Sequence, residues 1–439
     1  MLKPLTVQTQ QRPIAVDLFA GAGGMTLGFE QAGFDVLAAV ELDPIHCATH
    51  EYNFPFWKVF CQSIETITGL EIRQDSDIGN REIDVIFGGP PCQGFSLMGK
   101  RALDDPRNNL VFHFIRLVIE LKPKFFVLEN VPGLTIGKHR QFIHEIIETL
   151  QTNGYQVEEN YRVLNASYYG VPQDRSRLFL LGCRQGLSLP NYPPFLSRPP
   201  QQDLAKLPEL KPLVSCPTVW DAIGDLPPIE QYPELLLTDC TLAEYQKSSF
   251  YAKILRGLIL NPHNFSYPRL FDLRQLTCSL RSQHNQQSIT RFEATEWGKT
   301  EKISRFHKLN PQGLCNTLRA GTPSNRGAFT SPRPIHPYSP RCITVREAAR
   351  LHSYPDWFRF QGTKWHGFRQ VGNSVPPLLA QAVASEIIKV LGIIPSQPTE
   401  QKKLGDEALL YLKMSQAAKW YHVDPNIIEP RKRESKNKV

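Results

Sequence analysis

No apolar run in this 439-residue chain approaches the roughly 20 residues that a helix needs to cross a bilayer. The opening MLKPLTVQTQQRP has no apolar core of the kind a secretion signal carries. Both absences argue against a membrane or secreted protein and predict a cytoplasmic one. There is no Cys-x-x-Cys pair among the nine cysteines at 47, 61, 92, 183, 216, 240, 278, 315 and 342, so neither a zinc cluster nor a dithiol couple is predicted and no metal is expected. Their odd number and scatter read as reduced, mostly structural thiols. No internal repeat is visible, and a net charge of +8 is too mild by itself to name a partner.

What is present is an ordinary globular composition, 41% hydrophobic and 21% charged, with length for two or three domains. The charge is unevenly spread. Residues 247–333 hold 14 Lys plus Arg against 4 Asp plus Glu, more than the whole-chain excess, so the remainder is slightly acidic. A basic window of this kind is either a solvated face or the footprint of a polyanion whose phosphates it neutralises.

Strands and helices alternate through the first half. Strands are predicted over 14–19, 35–40, 83–87, 125–128, 156–163 and 177–181, and helices over 25–32 and 139–150. This alternation predicts a doubly wound α/β sheet. From 184 to 233 the chain is rich in proline and reads as an extended connector. Residues 234–340 read as a smaller, loop-rich unit. Helical periodicity returns over 344–352 and 377–390, giving a return segment of 341–395, and the extension 396–439 ends in a frayed polar tail.

Between the first strand and first helix stands DLFAGAGGMTLGFE, where Gly21, Gly23 and Gly24 allow a tight turn and close approach of a ligand to a helix N-terminus. Glu41 closes the second strand, 18 residues after Gly23, where a carboxylate can grip both hydroxyls of a ribose. The spacing G-x-G-G, rather than G-x-G-x-x-G, together with Phe19 as an aromatic face for adenine, favours an adenosyl ligand without a pyrophosphate, S-adenosylmethionine above all. Downstream, GPPCQGFS (residues 89–96) follows a buried-strand signal. It places Cys92 at a strand's carboxyl end, stiffened by two prolines before it and opened by Gln93 and Gly94 after it. A lone cysteine is often a small buried hydrophobe; this one is set out as a nucleophile.

With FAGAGG, Glu41, GPPCQGFS, ENVPG (129–133), QDRSR (173–177) and QVGNSVPP (370–377), the chain resembles the bacterial-type cytosine carbon-5 DNA methyltransferases, block by block and in that family's order. The likeness covers residues 14–183 and 341–391, with a target-recognition segment expected between. The resemblance implies a Rossmann-like, S-adenosylmethionine-dependent catalytic domain (1–183, completed by 341–395) and a target-recognition domain (234–340). It implies a Cys92 thiolate that adds to carbon 6 of cytosine, Glu129 at ring nitrogen 3, Arg177 at the carbonyl oxygen, and Arg175 orienting the nucleophile or phosphates.

It further implies that Phe19, Gly21, Gly23, Gly24, Glu41, Ser63, Pro90, Asn373 and Ser374 hold S-adenosylmethionine, whose product is S-adenosylhomocysteine. One departure stands out: where the family often has an aspartate for the adenine amino group, this chain reads CQSIE, with Gln62 or Ser63. Because the target atom is stacked in a duplex, base flipping is implied. Gln93, Ser96, Met98 and Arg101 are then expected on a mobile lid at the DNA, and Thr317 and Arg319 in a Thr-Leu signature of the recognition segment. That segment also carries an overall likeness to enzymes reading CGATCG-type palindromes. The implied partners are double-stranded DNA and a cognate restriction endonuclease, with the enzyme acting as a monomer. A transfer-RNA methyltransferase would need the same catalytic set. An NAD-type dehydrogenase leaves Pro-Cys-Gln, Glu-Asn-Val and the arginines unexplained, and an inactive DNA-binding relative leaves Cys92 and Glu129 without a reason.

Overall fold

A computed structural model describes residues 12–91, 109–136, 139–202, 205–321 and 333–428. Its centre is Ile14–Leu18 (β1), buried at every position, as a strand covered on both faces must be. The chain then alternates α1 (Gly24–Ala32), β2 (Asp35–Glu41), α2 (Pro44–Asn53), β3 (Lys58–Cys61), α3 (Gly69–Gln74), β4 (Val85–Gly88), α4 (Asn109–Leu121), β5 (Phe125–Asn130), α5 (His139–Thr152), β6 (Tyr155–Val157), β7 (Arg162–Asn165) and β8 (Ser176–Arg184). Strand order is β3-β2-β1-β4-β5-β8-β6, with β7 also on β8. The first five strands are parallel, and β8 runs antiparallel to β5, β6 and β7. β2 and β3 lie to one side of β1, and β4 and β5 to the other. The order therefore reverses at β1 and β4, and their carboxyl ends flank the crevice where doubly wound sheets bind ligands.

The doubly wound α/β sheet is the one predicted. The single strand expected over 156–163 is instead two, β6 and β7, laid end to end along β8. The polar run Glu158–Glu159–Asn160 breaks it, with the Glu158 carboxylate accepting from the Asn160 N–H at 3.0 Å. Helices α2, α3 and α4 and strand β3 are additional to the elements predicted.

Beyond β8 the proline-rich stretch is mostly irregular, holding β9 (Ser197–Arg198) paired with β10 (Val214–Ser215) and a short α6 (Val219–Ile223). Next come β11 (Thr241–Leu242) paired with β12 (Gln275–Leu276), and between and after them α7 (Phe250–Leu255) and α8 (Gln286–Ala294). The return segment supplies α9 (Val345–Leu351), α10 (Lys364–Asn373) and α11 (Pro377–Val390), which packs along α1; α12 (Met414–Trp420) follows. The apolar core under the sheet also takes in Leu235, Tyr251, Leu255, Leu276 and Cys278, whereas Phe292, Ile335 and Cys342 form a separate small cluster.

Buried ion pairs tie these parts together. The Arg269 guanidinium spans the Glu30 carboxylate of α1 at 2.9 and 2.8 Å, and Arg350 bridges Asp225 and Asp356. Removing one member of such a pair would strand the other charge without water, at a cost of roughly 3–5 kcal/mol. Among the described residues, no helix is long and apolar enough to cross a membrane and no three metal-ligating side chains cluster. The eight described cysteines are unbridged.

Candidate active site

At the carboxyl ends of β1, β2, β4 and β5 opens a cavity of about 590 Å³, within the roughly 300–1,000 Å³ of small-molecule sites. One end is built by the glycine turn. Leaving β1, Phe19 takes a φ of 65°, left-handed backbone that a non-glycine residue rarely adopts and that is concentrated at functional sites. Gly24 opens α1 where no side chain fits: a Cβ there would stand 2.5 Å from the Tyr354 hydroxyl and 2.7 Å from the Val375 carbonyl. Phe19, Gly21, Gly24, Glu41, Ser63, Pro90, Asn373 and Ser374, all predicted to touch the cofactor, line this one cavity. Gly23 lies beneath it, its Cα turned toward the Phe54 and His50 rings.

The Glu41 carboxylate is already gripped by backbone. Its Oε2 accepts from the Gly21 N–H at 2.8 Å, and its Oε1 accepts from Leu42 and Asp43, each at 2.9 Å. These three bonds fix its plane and leave lone-pair capacity for a ligand's hydroxyls. Below the turn, Thr26 donates to the Asp17 carboxylate at 2.5 Å and its oxygen lies 3.0 Å from His50 Nε2. Burial pushes the Asp17 carboxyl well above the usual carboxylate range and pulls His50 down to about 3.

The other end of the cavity holds Glu129 and Arg177. Glu129 stands near the end of β5 and is 8% exposed; its Oε1 meets the Arg177 Nε at 2.9 Å, while a Cβ on Gly89 would come within 2.5 Å of its Oε2. Glycine at 89 is thus the space the carboxylate occupies. Burial raises the Glu129 carboxyl and lowers the Arg177 guanidinium, the ion pair opposing both. Asn130 donates to the Pro90 carbonyl at 3.1 Å, tying the turn after β4 to the end of β5. Pro91 lines the cavity. Cys92, Gln93, Ser96, Met98 and Arg101, with the whole expected lid, lie outside the described residues.

Arg175 is placed differently from its neighbour. Fully buried, it donates to the Leu318, Gly372 and Ser374 carbonyls at 2.8, 2.8 and 2.7 Å. Gln173 works beside it, its amide N 3.2 Å from the Leu351 carbonyl and 3.0 Å from His352 Nδ1 and its carbonyl accepting from Leu318 N–H. Thr317 donates to the Asp174 carbonyl at 2.6 Å, and Arg319 is exposed beside it. The QDRSR block therefore splits: Arg177 serves the cavity, while Gln173 and Arg175 lace the recognition segment to the return segment.

Sequence reading passed over several residues of this site. Asp17, Asp43, His46, Gln370 and Arg369 all line the cavity, and Asn130 was unread although it sits inside ENVPG. Asp43 carried a legible signal, as the N-cap of α2 ahead of Pro44. Asp17, His46, Gln370 and Asn130 are buried polar residues that periodicity alone does not separate from core, and half-buried Arg369 reads in sequence as an ordinary surface charge.

The family model for C-5 cytosine-specific DNA methylase matches residues 14–389. The chain is 57% identical over 422 residues to the Type II methyltransferase M.XorII of Xanthomonas oryzae pv. oryzae, covering 96% of this chain and 95% of that protein. It is 32% identical to the Type II methyltransferase M.AgeI of Thalassovita gelatinovora, covering 85% and 99%. Among solved structures it is similar to a prophage-encoded protein of E. coli described as a DNA modification methyltransferase, with a TM-score of 0.68 and 32% identity over 87% of this chain and all of that one. The glycine turn, the Glu129–Arg177 pair and these likenesses agree: the chain belongs to the C-5 cytosine-specific DNA methylase family and is a DNA cytosine-5 methyltransferase.

Proposed function

We propose that this enzyme methylates cytosine within one short duplex sequence, using S-adenosylmethionine bound in the cavity between the glycine turn and Glu41. The observation that carries the reading is that a carboxylate fixed by three backbone N–H groups, Glu41, and a raised, buried carboxyl paired with arginine, Glu129, face one cavity, whose rim Pro91 leads to Cys92. The donor set fits the cofactor: an aromatic face at Phe19, a carboxylate with spare lone pairs at Glu41, and no Cβ at Gly24. When bound, the cofactor supplies an electrophilic methyl group.

Cytosine carbon 5 is a weak nucleophile until carbon 6 has been attacked. The Cys92 thiolate forms that sulfur–carbon bond and pushes electron density toward ring nitrogen 3. With Oε1 held by Arg177, Glu129 keeps its proton on the other oxygen and hydrogen-bonds nitrogen 3, which burial makes feasible near neutral pH. Arg177 hydrogen-bonds the cytosine carbonyl oxygen, and after methyl transfer the carbon-5 proton leaves to a base and the thiolate is expelled. Gln93, Ser96, Met98 and Arg101 approach the flipped base, Thr317 and Arg319 approach the recognition sequence, and the 234–340 segment reads it. As with the Type II relatives, a restriction–modification setting with a cognate endonuclease follows, with a monomeric enzyme in the cytoplasm.

Incubation with methyl-tritiated S-adenosylmethionine and unmodified genomic DNA, followed by bisulfite sequencing, tests this. Label on cytosines of one motif, abolished in Cys92→Ser, is expected; a CGATCG duplex is the first oligonucleotide to try. Label on transfer RNA but not DNA would overturn the substrate assignment.

A further inference from the structure

Past residue 389, where the family match ends, residues 404–428 are built into the fold. Leu409 and Leu410 are buried against Ala48 and Tyr52 of α2, with Leu404, Leu412 and Tyr421 packed around them. The Gly405 N–H donates to the Tyr52 carbonyl at 2.8 Å, and a Cβ at 405 would come within 2.9 Å of the Tyr52 Cα. The Tyr421 hydroxyl donates to Glu51 at 2.6 Å, and burial, reinforced by this carboxylate, drives the phenol strongly upward. Tyr411 is equally committed, donating to Asp239 at 2.5 Å and accepting from Arg359 at 2.9 Å. Helix α2 is thus held between the sheet and this segment.

That matters because α2 begins at the cofactor end. Its N-cap Asp43 and its first-turn His46 line the cavity, directly after the ribose-gripping Glu41. α12 packs on α2, and eight residues beyond it the chain reaches the cavity itself, with Ile428 in the wall alongside Leu42, Asp43 and His46. An isoleucine offers nothing to a sulfonium or an amino-acid carboxylate. It does suit the apolar faces of an adenosyl group.

We propose that this segment serves the cofactor site through two of its parts, with Ile428 contacting the adenosyl moiety and the packed residues 404–421 positioning α2. This rests on the cavity holding S-adenosylmethionine. The test is equilibrium binding of S-adenosylmethionine and S-adenosylhomocysteine by the full chain, by Ile428→Asp, by a chain stopped after Val423, and by Ile427→Asp as the neighbouring control. Thermal melting and binding to a DNA duplex are followed alongside. Loss of one partly buried apolar contact predicts that Ile428→Asp and the shortened chain bind both ligands roughly tenfold more weakly. Melting and duplex binding stay unchanged, and Ile427→Asp binds as the full chain does. Unchanged ligand affinity in Ile428→Asp, or an equal loss in Ile427→Asp, overturns the inference. Failure of the full chain to bind either ligand instead overturns the cofactor assignment beneath it.

Discussion

The two ends of the cavity are made in different ways. At the adenosyl end, much of the polar chemistry is already held by the protein: Glu41 accepts from three backbone N–H groups, and Asp17, Thr26 and His50 form a buried stack. At the base end, Glu129 and Arg177 face each other, each pushed toward its neutral form by burial. The first end is a mould, whose shape is fixed before any ligand arrives. The second is a poised electrostatic pair, whose energy changes when charge develops on a substrate. Preorganised groups of the second kind carry transition-state stabilisation, whereas the first kind serves binding.

Two glycine substitutions separate these ends. Gly89→Ala puts a methyl group where the Glu129 Oε2 now lies, and a carboxylate can swing away more cheaply than backbone can move. It should lower kcat roughly a hundredfold, the scale of a displaced general acid, with cofactor affinity and melting little changed. Gly24→Ala meets the Val375 carbonyl and Ser374 Cβ instead, at 2.7 and 2.8 Å. Overpacking of this kind costs roughly 1–3 kcal/mol, so melting and cofactor affinity should fall together. Steady-state kinetics, cofactor titration and thermal melts on both proteins check the contrast. Equal loss of cofactor affinity in the two would show that the ends are not separable.

Protonation distinguishes them again. Glu129 is raised, so the proton-bearing form persists to higher pH than for an ordinary carboxyl; activity that needs this proton is full below the raised value and falls as pH climbs through it. His50 shifts the other way. Its folded value is about 3 against the ordinary 6.5, so the stability it confers is present above 6.5 and drains away as pH falls toward 3. Between pH 7 and pH 5 that loss amounts to roughly 2 kcal/mol. Replacing His50 with Gln should flatten the acid fall in melting temperature and leave the alkaline fall in kcat intact. Replacing Glu129 with Gln should remove the alkaline fall in kcat, and with it the decline in stability that a carboxyl raised in the folded state imposes as pH climbs above its ordinary range, while the acid fall in melting set by His50 remains.

The adenosyl end was the more legible of the two in sequence. A turn that requires glycine announces itself as glycine, and Phe19, Gly21, Gly24 and Glu41 lie within one strand–turn–helix–strand unit, so local spacing suffices. The sheet was legible for the same reason, since its strands are apolar runs with few exceptions. The base end depends on residues from β4, β5 and β8, brought together by strand pairing that no local pattern encodes. Arg175 and Arg177 show the limit most clearly. Two residues apart in one motif, they part company in the fold: one is clamped by three carbonyls from 318, 372 and 374 while the other meets Glu129. Which arginine finds backbone carbonyls and which finds a carboxylate is settled by segments almost 200 residues away.

Ser63 gives the smallest and sharpest test of the mould. The family often places an aspartate here for the adenine amino group, so a side-chain view of the adenosyl end makes this serine a weak substitute whose loss matters. The mould view makes it nearly dispensable. Its hydroxyl already accepts from the Glu65 N–H at 3.2 Å in an exposed turn, and a hydrogen bond shared with water contributes roughly 0.5–1.5 kcal/mol at most. Ser63→Ala should therefore weaken S-adenosylmethionine binding by no more than roughly threefold, near 0.7 kcal/mol. A loss of tenfold or more would mean that adenine is held by this side chain, and that the glycine turn and Glu41 shape the cavity without dominating its affinity.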